Sequence, residues 1–270
     1  MSINLTPFVQ GELFYGNTWV VEDKEILAKQ IARIALGYSR HIKKILSGVG
    51  VPIPASAVDN VTGALTLLTV DGGEPWHRDG WLFQTISYIA AVKDDPSGIY
   101  DSPHMQHTAK GLDGLKLEID QKNGSVTSVV IFEDKATVNA RQTIATKIDS
   151  KGKKNAVWDE FKDIESGSRQ PLLTDKISSM LSNNSSIDAD DAIEKLIWKE
   201  VRGYRISITV NDTHSTEDGR KRLFKGYEEV VGGELKRRKA ETIQINNLRD
   251  WMDELAEMVK KYISEVNTNV

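Results

Sequence analysis

Two short apolar runs in the last third of the chain, YRISITV at residues 204–210 and ETIQI at residues 241–245, limit the fold more than any other feature. Both have strand composition, and residues 217–231 between them carry a helical pattern. A strand, a helix and a second strand at that spacing form a crossover unit whose strands lie parallel in one sheet. The chain is therefore expected to be an α/β protein with helices on both faces of its sheet. Residues 247–266 continue the pattern as an amphipathic helix, its apolar stripe including Leu248, Trp251, Met252, Leu255 and Val259. That width suits packing on a sheet.

Upstream, Ile26, Leu27, Ile31, Ile34, Tyr38, Ile42 and Ile45 recur at helical spacing and predict a helix over residues 22–46, stopped at Gly48. Residues 64–70 form a short apolar core element before a turn at Asp71-Gly72-Gly73. Asp79 stands at the N-cap position of a helix running to about residue 93. Residues 94–110 read as a loop. Residues 113–119 and 126–135 are β-like and joined by DQKNGS, a hairpin signal. Residues 137–155 predict a helix with a basic end, residues 157–161 and 172–181 are helical patches, and residues 188–200 a further helix. The expectation is a mixed central sheet flanked by helices. A helical N-terminal layer over residues 1–60 would precede an α/β core over residues 61–270, with one continuous domain as the open alternative.

Composition narrows the chemistry. Of 270 residues, 39% are hydrophobic and 27% charged, which excludes a disordered chain. The absence of cysteine excludes thiolate nucleophiles, cysteine-ligated zinc and iron–sulfur clusters, and suits a reducing compartment. No apolar run is long enough to span a bilayer, and MSINLTPFVQGE has neither a basic start nor an apolar signal core, so a cytoplasmic protein is expected. The net charge of −4 offers no global attraction to a polyanion, so any nucleic-acid site must be local. Two basic concentrations qualify: Arg141, Lys147, Lys151, Lys153 and Lys154, and the pair of runs Arg220–Lys225 and Lys236–Lys239. A charged helix surface mixed with Glu228, Glu229 and Glu234 would have the same composition. Phosphate-binding glycine loops, dinucleotide fingerprints and the nucleophile elbow are absent from the sequence. His104 and His107 lack further histidine or cysteine partners for zinc, and His77 in PWHRD is equally uncommitted.

The chemistry concentrates in KGLDGLKLEIDQKNGSVTSVVIFEDKAT, residues 110–137. The run Val129–Phe132 argues for a buried strand ending in Glu133-Asp134-Lys135. Glu-x-Lys also occurs at residues 22–24, 160–162 and 234–236, where helical patterns point the two side chains apart. On a strand, Glu133 and Lys135 share a face. The hairpin register decides where Asp113 falls. A two-residue loop at Asn123-Gly124 sets it opposite Asp134. A three-residue loop, or an equivalent bulge, sets it opposite Glu133, with Leu115 beside Ile131 and Leu117 beside Val129. Both registers fit the apolar pattern. Only the second lets two carboxylates share a divalent ion.

This segment resembles the catalytic hairpin of the PD-(D/E)XK nuclease superfamily, in which an acidic residue opens one strand and an acid-x-Lys triplet closes the next. The resemblance covers the hairpin and, loosely, the helices on either side. It implies a restriction-endonuclease-like core and a metal-dependent endonuclease hydrolysing DNA. Asp113 and Glu133 would ligate Mg²⁺ or Mn²⁺, with the Asp134 main-chain carbonyl as a further contact and Lys135 as the catalytic lysine. Gln84, on the preceding helix, is an accessory metal-side candidate, or a polar group capping backbone. Gln142 is a second accessory, and Arg141, Lys151, Lys153 and Lys154 would contact nucleic acid. Asp134 departs from the family pattern, because the middle position is usually apolar and its side chain enters the core. By analogy such proteins act as restriction or antiviral-defence effectors beside a separately encoded ATPase, helicase or sensor. Self-association is left open. The competing reading is a non-catalytic nucleic-acid-binding or adaptor subunit on the same sheet.

Overall fold

The computed structural model of the chain describes residues 1–48, 58–70, 72, 75–103, 111–120, 122, 125–145, 156–182, 187–196 and 201–268. Its strands are β1 (Ile3–Gln10), β2 (Phe14–Val21), β3 (Ile99–Tyr100), β4 (Gly114–Ile119), β5 (Val126–Lys135), β6 (Arg202–Val210) and β7 (Arg238–Gln244). They form one seven-stranded sheet in the order β1-β2-β7-β6-β5-β4-β3. The expected parallel pair is present, Tyr204 facing Arg238 and Val210 facing Gln244. Parallel pairing continues from β6 to β5 and from β7 to β2, and the antiparallel strands β1, β4 and β3 close the two flanks.

The N-terminal strands correct the expectation of a helical layer over residues 1–60. β1 and β2 form a hairpin, and β2 pairs with β7, so the sheet starts at residue 3 and is continuous with the core. Pro7 and the polar residues around it hid the alternation. Proline is tolerated because β1 is an edge strand. Gly16 is demanded by close approach: a methyl group there would lie 1.8 Å from the Ala240 carbonyl oxygen.

The helices are α1 (Lys24–Arg33), α2 (Ile42–Leu46), α3 (Val58–Leu68), α4 (Trp76–Asp94), α5 (Ala140–Ile144), α6 (Val157–Glu165), α7 (Gln170–Leu181), α8 (Ala189–Leu196), α9 (Asp212–Ser215), α10 (Glu217–Leu223), α11 (Tyr227–Val230) and α12 (Leu248–Thr268). Asp23 caps α1 by accepting from the Ile26 amide at 2.8 Å. The helix predicted over residues 22–46 is broken at Gly37, whose φ of 88° leaves the right-handed region. The apolar stretch at residues 64–70 forms the end of α3. Asp79 is no cap: it lies inside α4, fully buried, paired with Arg78 at 2.7 Å and with Arg249. The helix expected over residues 137–155 is only α5 among the described residues, and residues 146–155 lie outside them. The helix expected over residues 217–231 splits into α10 and α11 around Gly226.

One sheet face is covered by α1, α3, α4 and α12, burying Trp19, Leu27, Phe83, Ile86 and Met252. The other carries α5 to α8, α10 and α11 over Val129, Ile131, Phe161, Tyr204 and Tyr227. α4 and β5 are therefore neighbours, and the end of β5 lies between the two helical layers. Among the described residues, no helix is long and apolar enough to cross a membrane.

Candidate active site

The β4–β5 pairing selects the second register. Gly114 faces Phe132, Leu115 faces Ile131 and Leu117 faces Val129, and a bulge between Glu118 and Ile119 supplies the offset. Asp113, immediately before β4, thus meets Glu133 rather than Asp134. Asn123 and Gly124 of the turn lie outside the described residues.

Alternation along β5 then sorts its last residues. Val129 and Ile131 are fully buried, and the same face continues into Glu133 and Lys135. Lys135 Nζ stands 2.7 Å from Glu133 Oε2 and 3.2 Å from Asp113 Oδ2. Asp113 is held from three sides: Gln84 Nε2 donates to Oδ1 at 2.8 Å, and both the Asp134 amide, at 2.9 Å, and Lys135 donate to Oδ2. Gln84 reaches the site from α4, so the accessory role expected of it has a contact behind it. Sequence reasoning missed Glu160, on α6. Its Oε1 lies 3.8 Å from Lys135 Nζ, while its Oε2 lies 3.7 Å from Arg169 Nη1. Its own Glu-Phe-Lys triplet is helical and gave no signal that α6 would pack against this strand end.

The electrostatics separate these groups. Burial alone would raise the Asp113 carboxyl, but the Lys135 charge and the Asp134 amide outweigh it and hold Asp113 below the usual range. Burial drives Glu133 well above that range; Lys135 opposes this, and the Asp113 and Glu160 charges add to it. Desolvation works against the Lys135 ammonium, but the three carboxylates around it win and raise its pKa well above normal. Glu133 is 1% exposed; Lys135, 2.7 Å from its Oε2, is its charged partner, and among the described residues no neutral donor satisfies either oxygen. A buried carboxylate with one cation and no neutral donor is costly unless a further group shares its lone pairs.

Asp134 points to the opposite face and solves its burial differently. Its Oδ1 accepts from Ser87 Oγ at 2.6 Å and lies 3.9 Å from Arg205 Nη1. Arg205, 2% exposed, binds Glu241 through Nε at 2.5 Å and donates to Ser87 Oγ at 2.7 Å. Asn17 completes Glu241 at 2.8 Å. A row of polar side chains across β5, β6, β7 and β2 thus replaces the apolar contact expected of this position. Burial pushes the Asp134 carboxyl up to about 7, against the pull of Arg205.

The remaining candidates fall elsewhere. Arg141 donates through Nη1 to the Leu223 and Lys225 carbonyls at 2.8 and 3.2 Å, which ties α5 to the end of α10. Gln142 is exposed on the same short helix. Arg237 and Arg238 are buried and bind backbone carbonyls, so the second basic run is in part structural. His77 lies in α4 beside the Trp76 ring. Lys147, Lys151, Lys153, Lys154, His104 and His107 lie outside the described residues.

Among the described residues no three acidic or histidine side chains close into a ready-made metal cage. The donor set still fits a hard divalent ion that retains several waters, which needs one or two carboxylates. Asp113 and Glu133 provide them at facing register positions, and a buried Glu133 with no neutral donor on its oxygens among the described residues is the observation that favours the fit. No protein-family model matches the chain, and no curated protein sequence matches it significantly.

Proposed function

We propose that the chain is a divalent-metal-dependent nuclease that hydrolyses DNA phosphodiester bonds, with Asp113 and Glu133 as the residues that would hold Mg²⁺ or Mn²⁺. The observation that carries the reading is the meeting of Asp113, Glu133 and Lys135 at one strand end, with Glu133 buried and paired to Lys135 as its cation. When bound, the cation supplies Lewis-acid polarisation of the phosphodiester and lowers the pKa of water. The protein supplies the rest. Gln84 and the Asp134 amide fix the Asp113 carboxylate in one orientation. Glu160 helps to keep Lys135 charged. The Lys135 ammonium then stabilises the negative charge that develops on the phosphoryl oxygens as the phosphodiester is attacked. A restriction- or defence-type setting with a separately encoded partner belongs to the same proposal and rests on the resemblance alone.

A plasmid-nicking assay in Mg²⁺ or Mn²⁺ tests the reading. Wild-type protein should convert supercoiled to open-circular DNA, and Glu133→Ala and Lys135→Ala should not. Equal nicking by all three proteins, or none by wild type in either metal, would overturn it.

A further inference from the structure

A second concave site lies between α1, α2, the last turn of α4 and the residues just before β1, with a volume of about 610 Å³. Its charge is one-sided. Lys29, Arg33, Lys43 and Lys93 line it, and among the described residues no aspartate or glutamate does. Among the described residues none of these four cations has a carboxylate within ion-pair distance. Lys93 donates instead to the Ile3 carbonyl, and Lys29 sits 5.0 Å over the Tyr262 ring. The two acids that follow Lys93 are engaged elsewhere, Asp94 with Asn17 and Lys239, and Asp95 with Lys116. In a chain of net charge −4, four cations without acidic partners around one hollow make a local anion trap.

The hollow also has an apolar wall, formed by Ile26, Ile45, Leu46 and Val92, and a buried polar pair, Ser2 Oγ donating to Gln30 Oε1 at 2.6 Å. Its volume is in the range of small-ligand pockets, which combine apolar lining with a few placed polar groups. Simple polyanions would satisfy the lysines and arginine but leave the wall unused. A ligand with several phosphate charges and a weakly polar portion satisfies both. We infer that this hollow is a binding site for a free nucleoside phosphate, separate from the nuclease centre. Lys93 is nine residues beyond Gln84 on α4, roughly 13 Å along the helix axis.

Calorimetric titration of the full chain in metal-free buffer tests this without reference to nuclease activity, using ATP, inorganic pyrophosphate, adenosine and a 12-base-pair duplex as probes. ATP should bind saturably at sub-millimolar concentration, pyrophosphate at least tenfold more weakly, and adenosine not measurably. Arg33→Glu/Lys43→Glu should weaken ATP binding at least tenfold. Lys29→Glu/Lys43→Glu, which alters only exposed side chains, should do the same with an unchanged melting curve. Glu133→Gln should leave binding intact, so failure here and failure of the nuclease reading remain distinguishable. The inference is overturned if ATP does not saturate, if pyrophosphate binds as tightly as ATP, or if the exposed double variant still binds ATP like wild type. It is also overturned if only the duplex binds and the same variants abolish that binding.

Discussion

Glu133 and Asp134 are adjacent on one strand and both nearly inaccessible, 1% and 7% exposed, yet their surroundings are opposite. Asp134 is enclosed by Ser87 and Arg205, and through Arg205 by Glu241. Glu133 has a single cation, Lys135, 2.7 Å from Oε2, and no neutral hydrogen-bond donor among the described residues. One face of the strand end is closed by a row of hydrogen-bonded side chains, and on the other Glu133 is balanced by the charge of Lys135. Groups that break the rules of polar satisfaction mark functional places when their neighbours obey them.

The largest effect that could break this comparison is on stability. Arg205→Ala leaves Glu241 and Asp134 buried without their counter-charge, and should cost about 3–5 kcal/mol of unfolding free energy in a urea titration. A cost below about 1 kcal/mol would mean that the row behind β5 is not the support described. Glu133→Gln should do the reverse. It replaces a carboxyl whose charged form burial already disfavours, so the melting temperature should hold or rise, while cleavage should fall roughly a thousandfold with the loss of several kcal/mol of metal-assisted stabilisation. A clear drop in melting temperature would put Glu133 in the same structural class as Arg205. Gln84→Ala deletes one hydrogen bond to a charged group, and should reduce cleavage about tenfold with little change in folding.

The smallest effect lies in acid. Burial would raise the Glu241 carboxyl, but Arg205, Lys239 and Asn17 outweigh it and hold it below the usual range. Its contribution to stability is therefore present above the ordinary carboxylate range and lost as the pH falls through the lowered folded value. Glu241→Gln should be less stable than wild type at neutral pH, and the gap should close in acid. A gap that stays constant would show that the charge of Glu241 is not what stabilises the row.

The sequence made some of this legible. Strand β5, the parallel β6–β7 pair and the shared face of Glu133 and Lys135 follow from local periodicity, which survives folding because each strand buries its own apolar side chains. The Asp113–Glu133 pairing was one of two registers, and the deciding feature is a bulge at Glu118 that apolar patterning does not encode. The hairpin of β1 and β2 was invisible because Pro7 and its polar neighbours belong to an edge strand, where alternation is weak. Ser87, Arg205 and Glu241 are scattered over more than 150 residues, and only the strand order makes them neighbours of Asp134. Glu160 was missed for the same reason.

The most direct measurement of the central claim is a Mn²⁺ titration followed by electron paramagnetic resonance, comparing wild type with Asp113→Asn and Glu133→Gln. Wild type should take up Mn²⁺ saturably, and either substitution should weaken that binding at least tenfold while the fold stays intact by circular dichroism. No saturable uptake by wild type, or uptake unchanged in both variants, would contradict the claim that these two carboxylates grip a divalent cation.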